Sequence, residues 1–259
     1  MESTATEVSR QGALATVTLV RPEKHNRLDT QAMRALTEQL QALDAEPQVR
    51  VVLITGAGDQ AFCAGADIGE FDEAGVMAQR KQAEAFRGLC LALHQMHKPV
   101  LAKVNGLAVG GGMAMVSLAH LAVAADSARF GTPEINVGAF PNMVMTAILR
   151  SVPRKLALKM ILLGEIISAQ EALAMGLINA VVPRGQLDAV CGQLAERLAA
   201  KSPAVMALGL HSIRVSSDLP YPHAMEYLQE VGTIIRNTED FREGAQAFMH
   251  KRPPQWKGR

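Results

Sequence analysis

Residues 99–112, with the sequence PVLAKVNGLAVGGG, decide how the rest of the chain is interpreted. The run from Pro99 to Val104 is apolar except for one lysine, which is typical of a strand buried on both faces. Asn105-Gly106 ends the run, and Gly110-Gly111-Gly112 opens an apolar helix predicted to reach Ala119. Glycine lets the backbone approach a ligand closely, and the first amides of a helix have no intrahelical partners, so such a turn can bind an oxyanion. A tight turn that serves packing alone is the alternative.

The pattern on both sides of this stretch predicts an α/β fold with a mainly parallel sheet. Strand-like runs at 13–20, 49–54 and 121–125 alternate with helical periodicity, which is the pattern of βαβ units. From Met143 onward the periodicity is helical, apart from one strand-like run at 180–182. We expect an α/β core over residues 1–200. A helical region over 201–259 is expected to dock on that core and on neighbouring subunits.

Composition excludes several classes of function. The chain has 259 residues, is 49% hydrophobic and carries a formal net charge of +1, which argues against disorder and offers no basic surface to a nucleic acid. No run approaches the roughly 18 apolar residues of a membrane span, and residues 1–10 lack the apolar block of a secretory signal. Cys63, Cys90 and Cys191 lie far apart, as expected for free thiols in a reducing cytosol. We therefore expect a cytoplasmic protein with no nucleic-acid or membrane partner.

Two further segments follow predicted buried strands. They are residues 62–68, FCAGADI, and residues 130–134, FGTPE. Ligands of open α/β sheets bind beyond the carboxyl ends of the strands, so both segments are predicted to be loops of a site. Glu134 stands among apolar residues and could transfer a proton with a raised pKa. Taken alone, it could equally be a helix-start or surface glutamate.

In combination these motifs resemble the crotonase superfamily, and most closely its enoyl-CoA hydratase/isomerase branch. The AGAD loop at 64–67, the NGxxxGGG turn at 105–112 and the Pro-Glu at 133–134 follow the family's order and spacing. The likeness runs from about Ala13 to Trp256 and includes the loop RPEKHN at 21–26 and the ending FMHKR at 248–252. It implies a crotonase-like spiral of ββα units with a C-terminal helical oligomerisation region. It also implies an acyl-CoA or enoyl-CoA thioester substrate, a homotrimer or a hexamer of two trimers, and no separate cofactor or metal.

The resemblance implies roles for individual residues. The amides of Ala66 and Gly111 would form an oxyanion hole around the thioester carbonyl, and Glu134 would be the acid/base. Phe248 and Lys251 match positions that reach the CoA nucleotide, often in a neighbouring subunit. The implied substrate and CoA contacts are Glu23, Lys24, His25, Ala64, Asp67, Ile68, Leu107, Gly110, Pro133, Phe248 and Lys251.

One departure from the family pattern bears on the reaction. Hydratases of this family look to need two glutamates, and Ala114 stands where the first would be. A single carboxylate suits a double-bond isomerase, which moves a proton from the α-carbon to the γ-carbon. The second acid of dienoyl isomerases falls on Asn142, which cannot act as a carboxylate. The sequence thus leaves three alternatives open: an enoyl-CoA hydratase, a Δ3-Δ2 enoyl-CoA isomerase, and a CoA-ester-binding protein with little catalysis.

Three other patterns are interpreted as structural. The TGAG at 55–58 lacks the third glycine of a dinucleotide fingerprint. His94 and His97 have no third metal ligand nearby in the sequence and are expected on a solvated helix face. Ser117 and His120 lack the GxSxG elbow of a hydrolase and are expected to pack within the fold.

Overall fold

A computed structural model describes residues 5–66 and 75–259 of the chain. The strands in this part form two sheets, one of six strands and one of four. The strands are β1 (Thr6–Gln11), β2 (Leu14–Leu19), β3 (Val51–Gly56), β4 (Ala61–Cys63), β5 (Val100–Val104), β6 (Leu107–Val109), β7 (Leu121–Ala125), β8 (Arg129–Gly131), β9 (Ile166–Ser168) and β10 (Ala180–Val182).

The helices fill the intervals between strands and then form the C-terminal part of the chain. Short 3₁₀ helices at Pro22–Lys24, Pro133–Val137 and Arg184–Gln186 connect some of the longer elements. The α-helices are α1 (Thr30–Ala45), α2 (Gly75–Gln95), α3 (Gly111–Leu118), α4 (Val144–Ser151), α5 (Arg154–Leu163), α6 (Ala169–Ala174), α7 (Leu187–Ala199), α8 (Pro203–Ser216), α9 (Tyr221–Asn237) and α10 (Glu239–Met249).

The large sheet has the order β1-β2-β3-β5-β7-β10, and all of its pairs are parallel except the β1–β2 hairpin. The small sheet has the order β4-β6-β8-β9, with the first three strands parallel. Three successive units send one strand to the large sheet, the next to the small sheet, and then a helix: β3-β4-α2, β5-β6-α3 and β7-β8-α4. This is the spiral of ββα units that the resemblance implied.

The hydrophobic core lies on both faces of the large sheet. The larger cluster includes Leu36 of α1, Leu89 of α2 and Phe130 of β8. The smaller cluster packs α7 on the opposite face, where Leu187 and Cys191 meet apolar side chains of the sheet. Because both faces are covered, β3 is buried along its whole length, as its continuous apolar run predicts.

Two buried asparagines hold the turn between β3 and β4. The Asn26 side chain donates hydrogen bonds to the carbonyls of Ala57 (3.0 Å) and Ala61 (2.8 Å). The Asn105 side chain accepts from the amide of Gly56 (3.2 Å) and donates to the carbonyl of Gly58 (3.0 Å). This turn leads directly into β4, so the two amides set the position of the chain that follows β4.

The structure confirms the long predicted elements and corrects the short ones. The run at residues 13–20 is β2 and the run at 49–54 is β3. The chain after Met143 is helical as expected, except for β10, which is the expected strand-like run, and β9, which was not predicted. Residues 62–63 and 130–131, predicted to lie in loops, belong to β4 and β8. Strand β1 was not predicted. Three-residue strands contain too little periodicity to be recognised, and β1 is mostly exposed and polar.

The last three helices pack against one another, and α8 also contacts α2. Arg214 of α8 donates to the carbonyl of His94 at the end of α2 (3.4 Å), and the indole of Trp256 donates to the carbonyl of Ala200 (2.8 Å). The division of the chain at residue 200, and the docking of the second part on neighbouring subunits, stay predictions.

A pair of glycine-to-alanine substitutions tests the closest backbone contact of the fold. In α3, a Cβ on Gly112 would lie 2.9 Å from the carbonyl carbon of Cys63 and closer still to its oxygen, whereas a Cβ on Gly192 in α7 would meet nothing within 4 Å. We expect Gly112→Ala to lower the free energy of unfolding by about 3 kcal/mol through overpacking. Gly192→Ala should raise it by about 0.5–1 kcal/mol through helix propensity. Urea denaturation followed by circular dichroism measures both, and equal midpoints for Gly112→Ala and the unsubstituted protein would contradict the contact.

Candidate active site

The candidate site lies where three parallel strands of the small sheet end. Ala66 follows β4 by three residues, Gly111 follows β6 by two, and Glu134 follows β8 by three. Since β4, β6 and β8 are parallel neighbours, their carboxyl ends share one edge of the sheet. The structure thus brings together three residues that lie up to 68 positions apart in the sequence.

The turn after β4 requires glycine at position 65. Gly65 has φ +84°, and a Cβ there would lie 3.1 Å from the carbonyl oxygen of Val109 and 3.2 Å from the amide nitrogen of Gly111. The carbonyl of Gly65 accepts a hydrogen bond from the amide of Leu28 (2.9 Å), which fixes the turn from its other side. The next residue, Ala66, is therefore held directly beside the start of α3.

The amides of Ala66 and Gly111 have no hydrogen-bond acceptor among residues 5–66 and 75–259. Gly111 is the first residue of α3, so its amide is one of those that an α-helix leaves unpaired. The preceding Gly110 has φ +55°, a conformation that side-chain-bearing residues rarely adopt. Two free amides at adjacent turns form an environment suited to an anionic oxygen.

Glu134 lies against the turn that precedes α3. A Cβ on Gly110 would come within 3.2 Å of Glu134 Oε1, so the carboxylate touches the backbone just before α3. Glu134 Oε2 is buried and has no hydrogen-bond partner among the described residues. Burial raises the pKa of Glu134 because it removes hydration from the carboxylate, and this effect outweighs the hydrogen bond from the residue's own backbone.

The segment after Glu134 holds the carboxylate in place. The Glu134 carbonyl accepts from the amide of Ala139 (3.0 Å), and Gly138, with φ +77°, closes the short 3₁₀ helix. Helix α5 contacts the 3₁₀ helix, and the Asn136 side chain donates to the carbonyl of Gly164 (3.3 Å). The backbone that carries Glu134 is therefore fixed from two sides.

Ala114, which stands where a hydratase of the family would have its first glutamate, is part of the core. Ala114 is 0% exposed and belongs to the same apolar cluster as Val144 of α4. The amide of Ala114 donates to the carbonyl of Gly110 (3.1 Å), which places it one turn into α3. Asn142 is exposed, and its amide donates to the carbonyl of Phe140 (2.8 Å). Glu134 is thus the carboxylate that the described structure places at this edge.

The predicted CoA-binding residues are only partly brought together. Glu23 and Lys24 are exposed in a 3₁₀ helix, and the carbonyl of His25 accepts from the amide of Ala64 (3.0 Å), so this loop lies beside the β4 turn. Asp67 and Ile68 lie outside the described residues. Leu107, Gly110 and Pro133 lie in or directly beyond β6 and β8.

Phe248 and Lys251 lie at the far end of the chain. Phe248 is 86% exposed near the end of α10, and Lys251 follows that helix with φ +50°. Helix α10 packs against α8 and α9. Contact of either residue with CoA stays a prediction.

Two side chains near the site were not singled out by the sequence. Phe86 of α2 lies 3.2 Å from where a Gly111 Cβ would be, but a helical phenylalanine gives no signal of such a contact. Thr132 was part of the predicted site loop without any role. Its position directly after a strand and two residues before Glu134 is the signal that could have found it.

The residues interpreted as structural have structural partners. Ser117 Oγ donates to the carbonyl of Met113 (2.9 Å), and His120 Nδ1 accepts from the amide of Val100 (2.9 Å). His97 Nδ1 pairs with Asp44 at 2.8 Å. Across residues 5–66 and 75–259, no cluster of three or more histidine, cysteine or acidic side chains could hold a metal ion. Over the same ranges, no helix has the length and apolar character needed to cross a membrane.

Comparison with known proteins defines the family. The family model for enoyl-CoA hydratase/isomerase matches residues 9–259. The chain is 35% identical to (E)-benzylidenesuccinyl-CoA hydratase of Thauera aromatica over 95% of this chain and 96% of the relative. It is also 35% identical to 2,3-dehydroadipyl-CoA hydratase of Escherichia coli K12, over 97% and 98% of the two chains. The crystal structure of an enoyl-CoA hydratase from Bacillus anthracis superposes with a TM-score of 0.95 at 30% identity, covering 98% of this chain and 100% of that one.

The chain therefore belongs to the enoyl-CoA hydratase/isomerase family of the crotonase superfamily. The family's members named above are enzymes, and each is a hydratase.

The buried carboxylate of Glu134 predicts a pH-dependent effect on stability. A carboxyl group whose pKa is raised by folding stabilises the protein below its unfolded pKa of about 4.3, and this contribution is lost as the pH rises through the folded pKa. We expect Glu134→Gln to unfold at a higher temperature than the unsubstituted protein at pH 7.5, with the difference shrinking towards pH 4. Thermal unfolding of both proteins at the two pH values measures this, and a Glu134→Gln protein that is less stable at pH 7.5 would contradict an unpaired buried carboxylate.

Proposed function

We propose that this protein binds an enoyl-CoA thioester and stabilises its enolate with the amides of Ala66 and Gly111, using Glu134 as the single acid/base. The observation that carries the proposal is the placement of the half-buried Glu134 carboxylate against the turn that precedes the Gly111 amide. Two fixed donors stabilise negative charge that develops on the thioester oxygen only during the reaction. A carboxylate with a raised pKa is a stronger base than a solvated one, which suits removal of a proton from carbon.

Hydration of a 2-enoyl-CoA is supported by the relatives. Two of them are named as hydratases of CoA thioesters that carry a double bond in the acyl group. In this reaction water adds to C3 and a proton adds to C2. The acyl groups in those names differ in size and shape, so the proposal extends to the enoyl-CoA class and not to one acyl chain.

Double-bond isomerisation is supported by the residues of the candidate site, which include Glu134 and have Ala114 in place of a second glutamate. With Ala114 in place of the first glutamate, Glu134 can remove a proton from C2 of a 3-enoyl thioester while the electron pair moves to the thioester oxygen. The same carboxyl group can then return the proton to C4, which leaves the double bond between C2 and C3. This sequence of steps needs one acid/base and no water.

Substrate contacts and the absence of a separate cofactor are part of the proposal. The exposed loop at Glu23–His25 and the backbone of Ala64 would bind CoA beside the two amides. CoA enters as part of the substrate, and the proton transfers need only Glu134. We also propose a cytoplasmic enzyme.

Glu134→Gln tests the proposed chemistry against a binding protein with little catalysis. The amide cannot accept the proton, so both hydration of crotonyl-CoA and isomerisation of a 3-enoyl-CoA should fall by at least about 10²-fold. The gain or loss of the conjugated-enoyl absorbance measures both reactions, and Glu84→Gln, an exposed carboxylate on α2, is the matched control. Full activity of Glu134→Gln would contradict its role, and CoA-thioester binding without either reaction in the unsubstituted protein would favour the binding protein.

A homotrimer, or a hexamer of two trimers, is proposed from the apolar surface of the C-terminal helices. Large apolar side chains exposed on one chain are suited to burial between subunits. On α8, α9 and α10 they are Ile213, Met225, Ile234, Phe241, Phe248 and Met249. Light scattering should give the mass of three or six chains, and the mass of one chain would contradict the proposal.

A further inference from the structure

Thr132, two residues before Glu134, carries a hydroxyl that the proposed reaction does not use. Its side chain is 0% exposed. Of the four buried side-chain polar atoms that lack a partner among the described residues, two lie in this turn: Thr132 Oγ1 and Glu134 Oε2. A buried polar atom without a hydrogen bond costs about 1–3 kcal/mol, so two of them in one turn indicate a polar occupant of the site.

Thr132 and Glu134 both follow the end of β8. Side chains alternate along a strand, so Thr132 follows Phe130 onto the face that packs in the main core. Gly131, between them, pairs with Ile166 of the neighbouring strand β9, and a Cβ there would meet Ile166 Cα at 3.2 Å. Glu134 Oε1 lies against Gly110 just before α3. Glu134 thus borders the turn before α3, and the buried Thr132 hydroxyl lies two residues earlier, where strand alternation puts it on the core face.

A single water molecule fits the chemistry of this pair. A buried water needs two to four polar partners. A threonine hydroxyl donates one hydrogen bond and accepts others, whereas a carboxylate only accepts. Water can therefore accept from Thr132 Oγ1 and donate to Glu134 Oε2. Ala114, at the place where a second glutamate would compete for this water, presents only a methyl group.

We propose that Thr132 and Glu134 together bind the water molecule that adds to the double bond of the enoyl thioester. This inference rests on the proposed function. In the step it describes, Glu134 takes a proton from the water as the water oxygen bonds to C3. The C2–C3 π electrons move to form the enolate, whose oxygen accepts from the amides of Ala66 and Gly111. Glu134 then returns the proton to C2, so the net change is the addition of one water and Glu134 ends ionised.

The test compares hydration with isomerisation in the same protein, because only hydration consumes water. Thr132→Val keeps the shape of the side chain and removes the hydroxyl, and it should lower the ratio of the crotonyl-CoA hydration rate to the 3-enoyl-CoA isomerisation rate by about tenfold or more. Thr132→Ser keeps a hydroxyl and should retain the ratio. Thr132→Ala serves the same purpose as Thr132→Val with a smaller side chain that cannot clash.

Stability separates this role from a structural one. Because Thr132 Oγ1 has no partner among the described residues, Thr132→Val should not lower the urea midpoint of unfolding. Thr55→Val is the matched control: Thr55 is buried and its hydroxyl donates to the carbonyl of Lys103 (2.9 Å), so this variant should lower the midpoint and leave the ratio unchanged.

A lowered ratio in Thr132→Val, restored in Thr132→Ser, supports the water site. An unchanged ratio, or an equal fall of both rates with a lowered midpoint, overturns it. An unsubstituted protein that isomerises without hydrating also overturns it and leaves the proposed enolate chemistry intact. An unsubstituted protein that performs neither reaction overturns the proposed function itself.

Discussion

The site depends on a close approach of two backbone turns with no side chain between them. Gly112 of α3 lies against the carbonyl of Cys63, and Gly65 lies against Gly110 and Gly111. Because none of these glycines has a Cβ, the end of β4 and the start of α3 occupy one small space. The amides of Ala66 and Gly111, which have no acceptor in the described part of the chain, are neighbours as a result. Any side chain in this contact would separate the turns and with them the two donors.

Glu134 shows how this arrangement changes the chemistry of an ordinary carboxyl group. The start of α3 and a hydrogen bond from the backbone of Glu134 favour a negative charge, whereas burial opposes it. Burial dominates, because the pKa of Glu134 is raised. The burial of this carboxylate thus opposes the stability of the protein at neutral pH, and it makes Glu134 a stronger base. Thr132 is a second case, since its buried hydroxyl has no hydrogen-bond partner among the described residues.

The length of an element decided how well it could be predicted. β3, β5 and β7 have five or six residues and buried apolar runs, and they were predicted within a few residues of their bounds. β4, β6 and β8 have three residues each, too few to show a period, and they were taken for loops or missed. Yet these short strands carry the site, because Ala66, Gly111 and Glu134 follow them. The site residues were predicted from their motifs and from the family resemblance, without the sheet that aligns them.

The sequence by itself determined which chemical groups are available. Residue identity is local, so glycine at 65, 110, 111 and 112, a glutamate at 134 and an alanine at 114 were all readable from it. Only the tertiary structure decided what surrounds those groups. The burial of Ala114, the raised pKa of Glu134 and the unpaired hydroxyl of Thr132 each depend on neighbours from distant segments. The burial and the hydrogen bonds of a side chain depend on all of its neighbours. These neighbours come together only when β4, β6 and β8 lie side by side.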